Sequence, residues 1–246
     1  MNGCEVHLLG TVPFREAHSL QDRMAEEIAA GVRPQSLLLL EHPHTFTFGR
    51  RAKPENLVWG QPELASRGLE VHWTDRGGDV TYHGPGQLVG YPLLRLGRLD
   101  PTGRLPQADY VGYVRRLEQV LIRAVATLGL ASGQRHGLTG VWVEPEVASR
   151  CPSCPPAAKQ VPSKLASIGI RVDAQGISRH GFALNVEPDM TYWQGIIACD
   201  LPGATMISLA ELLDPAPSIP EVAQAVVLEF SRAFGLEMRQ VEPANP

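Results

Sequence analysis

The twelve residues 76–87 read Arg-Gly-Gly-Asp-Val-Thr-Tyr-His-Gly-Pro-Gly-Gln, and four of them are glycine. No other stretch restricts the fold so tightly. Glycine is entropically costly to order, so this density marks main chain that approaches a ligand closely or takes positive φ, while Pro85 stiffens the turn after His83. On local composition the segment reads equally as a tight hairpin around a hydrogen-bonded core histidine or as a binding loop carrying Arg76, Tyr82 and His83.

The flanking chain supplies elements to hold such a loop. Over residues 13–30, Ala17, Leu20, Met24 and Ile28 recur at helical spacing before Gly31, and over 109–128 Val114, Leu117, Leu121 and Leu128 do so before Gly129. The opposite face of the second helix carries Arg115, Arg116 and Glu118. Leu37 to Leu40 is too short for a buried helix and predicts a central strand, as do Val141-Trp142-Val143, residues 165–172 and residues 182–186. Capping boxes at Ser208/Glu211 and Ser218/Glu221 start two late helices, the second with Val222, Val226, Phe230 and Ala233 inward and Gly235 as its stop. Strands and helices do not alternate regularly, so the expected class is α+β, a mixed and largely antiparallel sheet flanked by helices. The 246 residues suffice for one large domain, 1–246. Residues 144–162 hold five prolines and read as a loop or insertion, and residues 241–246 as a frayed tail.

Net charge is −4 with scattered basic residues, which excludes a general nucleic-acid binder, and no apolar run approaches a membrane span. A soluble cytoplasmic protein is expected. Four cysteines in so long a chain make no disulfide framework. Cys151-Pro152-Ser153-Cys154 has half the ligands of a zinc site with no second pair, so no metal is expected and an exposed loop with incidental or redox-labile thiols is the plain reading.

Two further positions bear on chemistry. Lys164, in Lys164-Leu165-Ala166-Ser167-Ile168-Gly169, starts a strand, where it is either solvated at an edge or buried and functional. Cys199 follows an apolar run and precedes a turn; such a thiol is either a small buried hydrophobe or a nucleophile.

Together these clusters resemble the lipoyl(octanoyl) transferase family of the biotin and lipoate protein ligase superfamily. The likeness runs from about residue 42 to 211, through Gly49-Arg50-Arg51, residues 76–87, Gly140-Val141-Trp142-Val143, residues 164–172 and His180-Gly181-Phe182-Ala183-Leu184-Asn185. It implies the ligase-type catalytic fold and octanoyl transfer from acyl carrier protein to a lysine of lipoyl domains, those of 2-oxoacid dehydrogenase complexes and the glycine cleavage H protein, with no cofactor. Cys199 resembles the acyl-accepting cysteine and Lys164 the lysine that favours its thiolate. By the same likeness Arg76, Gly77, Gly78, Asp79, Val80, Thr81, Tyr82 and His83, with Ser167, Ile168, Gly169, Gly181, Phe182 and Ala183, surround the acyl group. Lys164 is then the natural general base and His83 a second candidate. The chain departs from the family where Ala198 and Asp200 replace a proline and a glycine beside the cysteine. An ATP-dependent lipoate-protein ligase and an inactive homologue that binds lipoyl domains are the alternatives.

Overall fold

The computed structural model describes residues 3–97, 109–151, 154–198 and 205–241. In chain order its elements are β1 (Gly3–Thr11), α1 (Phe14–Ala30), β2 (Gln35–Glu41), β3 (Thr45–Phe48), α2 (Gln61–Ser66), β4 (Glu70–Trp73), β5 (Val80–His83), β6 (Gln87–Leu93), α3 (Tyr110–Thr127), β7 (Gly133–Arg135), β8 (Leu138–Val143), α4 (Pro145–Ala148), β9 (Ser163–Val172), β10 (Ser178–Asn185), β11 (Thr205–Met206), α5 (Leu209–Leu212), α6 (Ile219–Phe234) and β12 (Glu237–Val241). The larger sheet runs β12-β1-β2-β6-β10-β9-β8-β7, with β11 on β9, and the smaller β4-β3-β5. Pairing is parallel along β12-β1-β2 and antiparallel from β2 to β7. This is the mixed, largely antiparallel α+β class expected.

Strand β2 shows why the sheet sits in the middle. Its side chains alternate, Leu37 and Leu39 joining a core with α3 and α6, Leu38 and Leu40 a core with α1. A strand covered on both faces has no polar side, which is why it reads as an unbroken apolar run. A third core of Phe46, Phe48, Tyr82, Tyr192 and Ile196 belongs to the small sheet. α1 stops at Gly31 in the left-handed conformation, Asp109 caps α3 by accepting from Gly112 N–H, and both capping boxes are formed. Among the described residues no helix is long and apolar enough to cross a membrane.

Two expectations are corrected. Glu118 is fully buried instead of lying on the solvent face of its helix. The proline-rich segment is not an open loop: it holds α4 and a 3-10 turn at Pro156–Lys159, buries Ala148, Cys154 and Ala158, and turns both thiols onto the carbonyl oxygen of Glu211, at 2.7 Å from Cys151 and 3.0 Å from Cys154. Strands β1 and β12 were not expected, and residues 242–246 of the tail lie outside the described residues.

Phe230 is wholly buried on α6. Truncating it, Phe230→Ala, should cost about 3–5 kcal/mol in urea unfolding. Removing only a cap, Ser218→Ala, should cost about 1 kcal/mol.

Candidate active site

The glycine-rich segment crosses from the small sheet to the large one. Gly77 N–H donates to Ile170 O at 2.9 Å, and a Cβ on Gly169 would lie 2.8 Å from Gly77 O. Glycine is therefore required on β9 for the loop to lie on the strand. Gly49 has the same role from the other side, since its Cβ would fall 2.4 Å from Gly78 O. Gly78 itself has φ 90°. Between loop and sheet opens a cavity of about 450 Å³, within the range of small-ligand sites. Arg76, Gly77, Gly78, Asp79, Val80, Thr81 and His83 line it from the loop and β5; Lys164, Ser167, Ile168, Gly169, Gly181, Phe182 and Ala183 line it from β9 and β10.

Tyr82 is the exception. It projects from the other side of β5 into the small-sheet core, where it stacks on Tyr192 and its hydroxyl meets His44 Nδ1 at 2.9 Å. Phe14, Tyr91, Val114, Leu138 and His180 also line the cavity and were not singled out from sequence.

The polar groups of the loop are locked together. Arg76 donates from Nε and Nη2 to Thr47 Oγ1 at 3.2 and 3.0 Å, and from Nη1 to Gly77 O at 3.0 Å. Gln87 donates its amide to Tyr82 O and Asn185 Oδ1, which leaves Gln87 Oε1 to accept from His83 Nδ1 at 2.8 Å. His83 Nε2 must then accept, and the Thr47 hydroxyl at 3.2 Å is its donor. Burial, together with the neighbouring His42 and Arg76, holds His83 well below the ordinary histidine range. His83 is thus a neutral ring whose Nε2 lone pair faces the Thr47 hydroxyl. The segment is built around a hydrogen-bonded core histidine and lines the cavity.

Lys164 is 4% exposed and sits on the cavity wall, so it is not a solvated edge lysine. Its ammonium lies 4.8 Å over the Trp142 ring. On its other side β11 aligns Met206 with Lys164, and Ile207 N–H donates to Lys164 O. Cys199, like Asp200, lies outside the described residues. Its upstream flank is fixed: Ile197 N–H donates to Asn56 O at 2.8 Å, and Asn56 donates its amide to Asp79 Oδ2 at 2.9 Å. Cys4 and Cys154 are poor nucleophiles, for burial pushes both up to about 12.

His18, Asp75 and His180 bring three ligand-type atoms within 4.8 Å of one another. Asp75 is already held by His180 Nε2 at 2.7 Å, Arg171 at 3.1 Å and Arg179 at 3.2 Å, a cationic setting that does not suit a metal ion. His42 is buried with Nδ1 on Val12 O at 2.6 Å and Nε2 against the Tyr91 hydroxyl at 2.7 Å; burial lowers it to about 4. A depressed folded-state pKa gives stability that is complete above the unfolded value and is lost as pH falls toward 4. The loss should reach about 3 kcal/mol at pH 4. Urea unfolding at pH 7 and pH 4 checks this, with His42→Gln showing a correspondingly shallower pH dependence.

The model of the lipoyl protein ligase A/B catalytic domain matches residues 13–231. An octanoyltransferase of Chloroflexus aurantiacus is 38% identical over 239 residues, covering 97% of each chain. One from Syntrophotalea carbinolica is 40% identical over 226 residues, 92% of each chain. In structure the chain is similar to the bipartite lipoate protein ligase of Thermoplasma acidophilum, with TM-score 0.70 at 17% identity over 98% of this chain and 88% of that one. It is also similar to a lipoate-protein ligase A bound with ATP, with TM-score 0.68 at 18% identity over 98% and 90%. These two likenesses establish the fold alone, whereas the family model and the relatives establish descent: the chain belongs to the lipoyl protein ligase A/B catalytic domain family and is an acyltransferase.

Proposed function

We propose that this enzyme transfers an octanoyl group from acyl carrier protein to the ε-amine of a lysine on a lipoyl domain, through an acyl-thioester on Cys199. The observation that carries the reading is Lys164, a buried cation on the wall of an acyl-sized cavity whose strand is paired directly with the segment following Cys199. Thr205, six residues after Cys199 in sequence, pairs with Ser163, the strand neighbour of Lys164. The curated relatives are named octanoyltransferases, which sets the acyl group. Lipoyl domains of 2-oxoacid dehydrogenase complexes and the glycine cleavage H protein are the proposed acceptors and the cytoplasm the proposed location.

In the first half-reaction the Cys199 thiolate attacks the thioester carbonyl, the carbon–sulfur bond to the carrier breaks, and the carrier leaves as its thiol by taking a proton from the Lys164 ammonium. In the second, the acceptor lysine attacks the enzyme thioester, an amide forms, and the Cys199 thiol is restored. The acceptor must first shed a proton, which at pH 7 costs about 4.6 kcal/mol for a lysine of ordinary pKa. Lys164, left neutral by its transfer to the carrier, accepts that proton, and the amine's second proton goes to the departing Cys199 sulfur; His83 is a second candidate base. Thioester to amide is downhill, so no nucleotide is consumed.

Incubation with octanoyl-acyl carrier protein and apo lipoyl domain, without ATP, should yield octanoylated domain and, when the acceptor is omitted, a Cys199 peptide carrying octanoyl by mass spectrometry. Cys199→Ser should abolish transfer, and Lys164→Ala should slow both half-reactions and steepen their pH dependence. Transfer only from free octanoate plus ATP would identify a ligase instead. Binding of the lipoyl domain with neither reaction would identify an inactive homologue.

A further inference from the structure

Glu118 is a carboxylate with 0% exposure in the middle of α3, between the wholly buried Leu117 and Leu121. A charged group in such a place is costly, and an apolar side chain would fill it at least as well. What it does there is local and specific. Its Oε1 accepts Gly140 N–H at 2.9 Å, while Oε2 accepts from Arg115 and Gln134, each at 2.7 Å.

Gly140 is the point where β8 crosses the Lys164 side chain. It has φ 125°, and a Cβ there would lie 2.5 Å from Ala166 O and 3.3 Å from Lys164 Cε. The backbone of Gly140 therefore lies against the lysine's methylene stem. Beside it the register of β8 on β9 shifts by one residue, Val141 pairing with Ala166 but Trp142 with Lys164. Such a bulge re-aims a side chain, and here the side chain is the lysine, directed over Trp142 and into the cavity. The N–H of Gly140 is buried beside this irregularity, and Glu118 supplies its acceptor.

We propose that Glu118 is a positioning residue for Lys164: by holding Gly140 N–H from α3 it fixes the β8 backbone along the lysine stem and so sets the direction of the ammonium. The proposal rests on the assignment of Lys164 to the transfer chemistry. Glu118 touches neither acyl group nor thiol, and its effect is transmitted through one backbone amide. The required feature is an acceptor oxygen, so a glutamine should serve: its Oε1 can face Gly140, while Gln134 turns its own amide to accept from the new Nε2 and the part-exposed Arg115 guanidinium, which can only donate, swings out to solvent.

The test is a double-mutant cycle in the octanoyl-acyl carrier protein assay. Glu118→Ala should lower kcat about tenfold with little change in KM for the carrier, and Glu118→Gln should stay within about threefold of the parent. In a Lys164→Ala background, Glu118→Ala should cause no further loss. The midpoint pH for alkylation of Cys199 should move in the same direction in Glu118→Ala as in Lys164→Ala. Should Glu118→Ala fail to fold, Glu118→Met fills the space, leaves Gly140 N–H unpaired and is expected to behave alike. Losses that multiply across the two sites, or a Glu118→Gln as impaired as Glu118→Ala, overturn the proposal. A fully active Lys164→Ala overturns the chemical assignment of the lysine, and this inference with it.

Discussion

One chain of hydrogen bonds joins the two sheets across the cavity, and the site depends on it. It starts at Arg76, passes through the Thr47 hydroxyl to His83, from His83 to Gln87, and from Gln87 to Asn185, whose amide donates to Ile207 O at 3.1 Å. Ile207 N–H closes the path on Lys164 O. Each member is buried or nearly so, and in a low-dielectric interior a satisfied network is strong while a broken one leaves an orphaned polar atom. The direction of every proton is also determined, since Arg76 can only donate and Thr47 has one hydrogen to give. The loop that roofs the cavity and the strand that carries the lysine are thus held in one frame, although residues 76 and 164 are far apart in sequence.

Two kinds of support meet in that frame. Apolar layers fix the gross position of β9 and β10: α3 and α6 cover one face, α1 the other. Polar contacts then adjust the last ångström. His180 illustrates the second kind, with φ 55°, an unusual conformation for a residue bearing a side chain; its N–H is taken by Gln21 Oε1 at 2.8 Å and its ring by Asp75. A backbone irregularity at the cavity wall persists because the surroundings over-determine it.

How much of this is legible in the sequence follows from where each signal resides. α1, α3 and α6 are plain because amphipathic spacing and a terminal glycine are local features, and β2 because burial on both faces leaves an apolar run. Strand β1 and the edge strand β12 mix polar and apolar residues and are recognisable only once paired, Gly3 to Glu237 onward. The site loop announces itself through glycine, yet a contiguous motif hides strand parity: Thr81 and His83 line the cavity, while Val80 and Tyr82 pack into the small-sheet core, Val80 also reaching the cavity. Glu118 was misplaced although it stands four residues after Val114 and three before Leu121, the spacing of the buried face; its charge outweighed its position. The burial of Lys164 has no local signal at all, because it is created by Gly140 and Trp142 from another strand.

The contact between loop and sheet is made by main chain, glycine against glycine at residues 77 and 169, and so offers no side chain for natural variation to act upon. A side chain at Gly169 would drive straight into Gly77 O, whereas Phe14, Val114 and Leu138 border the same space with replaceable bulk. Diversification of the acyl groups accepted by proteins of this architecture would accordingly be channelled through those remoter positions, above a seam of bare backbone.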